Sequence, residues 1–153
     1  MSAKMMTVLA TGFVAIGMAG PLAAETSAED ALEYREAAMT ALRGHIGAVS
    51  KIVRGLVKDH GFLQQHADAL AAGAAELEHL FPAGSDVGES QALQAIWEDP
   101  EAFAAAVDKA KQATAEFSKV IAEGGDEAAI AAAFREVGGS CRGCHDDFRK
   151  SDD

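Results

Sequence analysis

The chain has 153 residues, of which 49% are hydrophobic, and 24 acidic against 13 basic side chains give it a net charge of -11. That charge makes nucleic acid and anionic membrane surfaces poor partner candidates. The apolar fraction is enough to fill the core of one small domain.

The first residues read as a secretion leader. Lys4 gives a positive start, Met5 to Met18 is an apolar run, and Gly20-Pro21 breaks it before Leu22-Ala23-Ala24, an acceptable cleavage box. A leader over 1–24 leaves one domain over 25–153, about 129 residues, in which 12 basic against 24 acidic residues make a net of -12. The apolar run is too short and too rich in glycine for an anchor, so no membrane insertion is expected, and in a bacterium the location is the periplasm. The acidic surface suits a basic docking face on a redox partner protein, and it is also the ordinary solubility device of a secreted protein.

Thr26 and Glu29 fit a capping box that opens a long first helix. Along it Leu32, Arg35, Met39, Leu42, Ile46, Val49, Val53 and Leu56 recur at three- and four-residue intervals, a bundle seam that runs to about Lys58 before Gly61. A second helix carries Leu63, His66, Leu70, Gly73, Leu77 and Leu80 and ends at Phe81-Pro82. The longest connection follows, from Ala83 to Asp99, with a helical turn around Gln91 to Trp97. Asp99-Pro100-Glu101 restarts helix, with Phe103, Val107, Ala110, Thr114, Phe117 and Ile121 on its seam, and Gly124-Gly125 stops it. Asp126 caps the last helix, whose seam runs Ile130, Phe134, Val137, Cys141, Cys144 and Phe148. No segment shows a sustained period of two. The expected fold is all-α, an antiparallel up-down-up-down four-helix bundle.

The only two cysteines stand inside that last stripe, in Cys141-Arg142-Gly143-Cys144-His145. Two thiols separated by two residues and followed at once by His form the attachment signature for c-type haem: each thiol adds across a vinyl group, and His145 supplies an axial nitrogen to iron. On a helix the three stand at i, i+3 and i+4. A thioredoxin-like dithiol needs a βαβ setting, which is missing here, and a structural zinc site needs a second pair of ligands, which the chain lacks. An ordinary disulfide is compatible with an oxidising compartment, but it leaves His145 unexplained.

Over the whole mature chain these residues resemble the class II cytochromes c, cytochrome c′ and its low-spin methionine-ligated relatives. The resemblance rests on Tyr34-Arg35 followed by Met39, on Leu80-Phe81-Pro82 and Ile96-Trp97, and on Val137-Gly138 through Arg149. It implies one covalent haem c, with Cys141 and Cys144 holding it by thioethers, His145 as proximal ligand, Arg35 near a propionate and Arg149 near the proximal imidazole. The seam agrees on Arg35, because a charge on a core stripe requires an anion unless it snorkels to solvent. Arg149 also suits a cation at a helix C-terminus.

Met39 is the one methionine left once the leader is removed. By resemblance its position holds the sixth ligand in low-spin members and a non-bonded blocking residue in high-spin ones. The first expectation is therefore an electron carrier, not an enzyme, with iron between His145 and Met39. The alternative is a five-coordinate protein that binds nitric oxide or carbon monoxide. Peroxidase chemistry would need distal acid-base groups that the seam does not offer. His66 is on a seam and reads as a core histidine, whereas His45, His60 and His79 look solvent-facing. Gly138 and Gly139 allow close backbone approach to a porphyrin; the resemblance implies a homodimer through the first two helices, where Gly44, Gly47 and Gly55 permit close contact.

Overall fold

The computed structural model describes residues 26–151, so the predicted leader lies outside the described residues. Four long helices, α1 (Ala28–Val53), α2 (Leu63–Ala75), α4 (Pro100–Ala122) and α5 (Glu127–Phe148), make the expected antiparallel bundle; a short α3 (Ala95–Glu98) lies in the connection between α2 and α4. Among the described residues the only strand-like pairing is one isolated antiparallel bridge, Ala92 with Arg149. No described helix is long and apolar enough to cross a membrane.

Polar side chains set the helix starts. Ser27 Oγ accepts from Asp30 N at 3.0 Å, one position later than the expected Thr26–Glu29 box. Asp99 and Asp126 cap α4 and α5 as expected, accepting from Ala102 N and Ala129 N. Before α2, Asp59 Oδ1 accepts from the backbone of Gly61, Phe62 and Leu63.

The helix ends correct two expectations. α1 stops at Val53 rather than near Lys58, because Gly55 takes φ +68° and closes a Schellman motif: Gly55 N donates to Ile52 O and Leu56 N to Lys51 O. Leu56, expected on the seam, therefore lies beyond the helix and is exposed. α4 ends in the same way at Gly124, φ +75°. α2 stops at Ala75 and tightens into a 3₁₀ turn, Leu77–His79, instead of running on to Leu80. The Leu80 side chain is buried while its carbonyl is taken by Arg35.

The core is concentrated toward one end. Val49, Leu63, Ala67, Leu70, Phe117 and Val137 are buried together, with Phe134 packed on Phe117 at 5.5 Å between ring centroids. On α4 the buried positions Val107, Ala110, Thr114 and Phe117 are those of the predicted seam. α2 packs on α1 and α4, and α5 on α4, whereas α1 and α5 barely touch. The bundle is thus thin along one side, between the helix carrying Met39 and the helix carrying the Cys-x-x-Cys-His motif.

Candidate functional site

At the end opposite that core, a row of side chains joins α1 to the end of α5. The Arg35 guanidinium, 5% exposed, lies 4.9 Å from the centre of the Phe81 ring. Phe81 meets Phe103 edge-on at 5.0 Å, and Phe103 meets Phe148 edge-on at 5.3 Å. Phe148 is buried and stands three residues after His145, so this row fixes the last turn of α5. The connection 80–93 wraps the same end: Leu93 N donates to Phe148 O at 3.0 Å, and Lys150 N donates to Gln91 O at 2.8 Å.

Arg35 spends its donors on that connection. Nη1 donates to Leu80 O at 3.2 Å and Ser85 Oγ at 2.9 Å, and Nη2 donates to Ser85 O at 2.9 Å and Ser90 Oγ at 3.0 Å. All four acceptors are neutral. Burial pulls the guanidinium pKa down, and the nearby carboxylates of Glu36 and Asp86 push it back up. It is a buried cation whose four hydrogen bonds go to neutral groups, and it does not snorkel. The sequence leads us to expect an anion for this charge, whereas the structure gives it neutral acceptors; Ser85 and Ser90 carry no periodic signal and were not legible as its partners.

The three motif residues occupy an arc of α5 about 100° wide, with Cys144 and His145 on either side of Cys141. Cys141 is half-buried and packs against the core cluster. Cys144, also half-buried, lines a groove of about 540 Å³ between α4 and α5 together with Gly139, Ser140 and Gly143. His145 is exposed. Neither thiol is in a disulfide. Burial, the largest cause at each, raises both thiol pKa values, and Cys141 and Asp147 add to the rise at Cys144.

The surroundings of the motif suit a bulky covalent group. A Cβ built on Gly138, Gly139 or Gly143 would meet nothing within 4 Å, so this stretch of α5 has open space beside it. Together with two thiols on a helix whose neighbour α1 barely touches it, this fits a haem c. Met39 is half-buried on α1, one turn after Arg35. Arg149 is half-buried, caps α5 through its N–H to His145 O at 3.1 Å, and pairs with Ala92.

Of the other histidines, His60 and His79 are exposed as expected. His45 is not solvent-facing: it is half-buried, with Nδ1 3.0 Å from Nδ1 of His66.

The family model described as Cytochrome C′ matches residues 30–149, which span the Arg35 cluster, Met39 and the motif. Cytochrome c′ of Rubrivivax gelatinosus is 37% identical over 125 residues, covering 79% of this chain and 95% of that protein. A nitric oxide complex of a mutant cytochrome c′ from Alcaligenes xylosoxidans superposes with a TM-score of 0.75 at 30% identity, covering 83% of this chain and 98% of that one. A carbon monoxide complex of another variant of that protein gives 0.74 at 30% identity, covering 82% and 98%. These matches imply a covalently bound haem c and a haem protein that is not a catalytic enzyme. A match over the whole described bundle, on a chain whose fold and thiol pair agree with it, means that this chain belongs to the cytochrome c′ family.

Proposed function

We propose that this protein is a five-coordinate cytochrome c′ of the periplasm that binds nitric oxide or carbon monoxide at a single haem c. Cys141 and Cys144 provide the thioether links, and His145 provides the axial nitrogen. When bound, the haem supplies an iron centre able to take up a neutral diatomic gas. The observation that carries the reading is the makeup of the α1 face beside α5. Leu32, Met39 and Leu42 are half-buried, and the one charged side chain among them, Arg35, is turned into hydrogen bonds with the 80–90 connection. This face offers neither a strong anion-binding donor nor an acid-base pair, so it favours neutral ligands over anions and peroxide.

In this reading Met39 fills space on the distal side without bonding. The two gas complexes among the relatives support that over the electron carrier with a Met39 ligand. The four groups hydrogen-bonded to Arg35 are neutral, which makes an anionic propionate a favourable neighbour for its charge. Arg149, at the end of α5, contributes positive charge near His145. Gly44 and Gly47 have open space where a Cβ would stand, which supports close approach of a second chain on α1.

The absorption spectrum of the ferrous protein before and after carbon monoxide tests this. A high-spin spectrum that shifts with the gas is expected, and a low-spin spectrum indifferent to it overturns the reading. Met39→Ala is expected to leave the spin state unchanged and to speed carbon monoxide association by about tenfold, the effect of removing ~1.4 kcal/mol of steric resistance. Conversion from low to high spin on that substitution would instead make Met39 a ligand.

A further inference from the structure

His45 on α1 and His66 on α2 meet across the helix pair, well away in sequence from the Cys-x-x-Cys-His motif. Their Nδ1 atoms are 3.0 Å apart, and the rings are tilted by 56° with centroids 5.2 Å apart. At this distance one ring donates its Nδ1–H to the Nδ1 lone pair of the other, and the same two nitrogens are near enough to share a metal ion in place of that proton. Both rings are half-buried on backbone held by Val49, Leu63 and Ala67, which are buried in the core.

The spacing discriminates among ions. Metal–nitrogen bonds of about 2.0–2.1 Å reaching a shared ion from nitrogens 3.0 Å apart enclose about 91–97° at the metal. That is close to the right angle between adjacent ligands in tetragonal coordination and well short of the tetrahedral angle of about 109° that zinc prefers. Imidazole nitrogens in tetragonal geometry are the preference of copper(II).

The geometry points to a two-imidazole site for copper(II) formed by His45 and His66, with water completing the coordination. A cavity of about 270 Å³ lined by His66, His60, Asp59 and Lys58, among others, opens beside the His66 side of the pair. The net charge of -11 draws cations to the surface, although Lys51 and Lys58 oppose it locally and Asp59 Oδ1 is occupied by backbone N–H groups. As the ion binds, the proton on one Nδ1 moves to Nε2 of the same ring, so both rings stay neutral and both Nδ1 lone pairs go to copper. Among the described residues no group of three or more His, Cys, Asp or Glu is disposed around a metal, so two protein ligands define the site.

The test is titration of the haem-loaded protein with copper(II) sulfate, followed by calorimetry and electron paramagnetic resonance. One ion per chain with hyperfine coupling to two imidazole nitrogens is expected. His45→Gln and His66→Gln should each weaken binding at least about tenfold, and His79→Gln should not change it. Circular dichroism and the Soret band check that each variant folds. In the unsubstituted protein, copper should broaden the imidazole ¹⁵N resonances of His45 and His66 before those of His60 and His79, a readout that needs no variant. Uptake with the same affinity in both glutamine variants, or absence of the two-nitrogen signature in the parent, overturns the site.

Discussion

Nη2 of Arg35 donates to Oγ of Ser90 at 3.0 Å across 55 positions of sequence. The Ser90 carbonyl in turn accepts from Lys150 Nζ at 2.7 Å, so the start of α1 is tied to the residues just past α5. Arg35→Ala takes the guanidinium donor from the Leu80 and Ser85 carbonyls and from two serine hydroxyls, of which Ser90 Oγ keeps the Ala92 N–H. It should cost about 2–4 kcal/mol in chemical denaturation, the size expected for breaking a buried network. Arg35→Lys should recover only part of this, because one ammonium cannot reproduce the guanidinium fork. A loss below about 0.5 kcal/mol for the alanine variant, the range of ordinary surface substitutions, would mean that the network carries no stability.

Replacing both Cys141 and Cys144 by Ser should abolish haem staining on a denaturing gel, while either single change should leave a weaker, one-link product. Staining of the double variant at the parental level would refute thioether attachment at these positions.

Phe117 is fully buried and packs against Phe134 at the closed end of the bundle. Phe117→Ala should destabilise by about 3–5 kcal/mol. This cluster meets the motif only through Cys141, which packs against it, so the carbonyl spectrum of the surviving folded protein should shift little. A spectral change would show that the two ends are coupled.

Asp68 gives a prediction about acid. Its Oδ1 accepts from Ser118 Oγ at 2.5 Å and Gln64 Nε2 at 2.7 Å, joining α2 to α4, and these two bonds hold its pKa below the ordinary 3.8. A depressed carboxylate adds stability above its unfolded value and loses it as pH falls through the folded one. Asp68→Asn should therefore lower the unfolding midpoint on the neutral side and flatten its decline below about pH 4, so that the parent and variant curves converge in acid. Parallel curves for parent and variant would dismiss the contribution.

The parts of this protein legible in its sequence are those written in helical period or in a fixed spacing. Val107, Ala110, Thr114 and Phe117 were readable as a buried stripe because repetition at 3.6 residues marks one face, and Cys141, Cys144 and His145 because attachment chemistry fixes their intervals. The stop at Gly55 was missed because Gly61 was an equally good terminator on paper, and only the Schellman bonds to Ile52 and Lys51 distinguish them. Ser85 and Ser90 were missed because partners of a buried cation drawn from an irregular segment leave no pattern. His45 was misread because its environment depends on how α1 crosses α2, which single-helix periodicity does not encode.

The core cluster meets the Cys-x-x-Cys-His motif only through Cys141, which partly separates two properties that a smaller haem protein would have to tune together. Substitutions among Val49, Leu63 and Phe117 can adjust how long the chain survives. Substitutions around Met39, Gly138 and Gly139 are left free to adjust which gas is favoured and how quickly. Such a layout lets a lineage retune its chemistry without first rebuilding its scaffold.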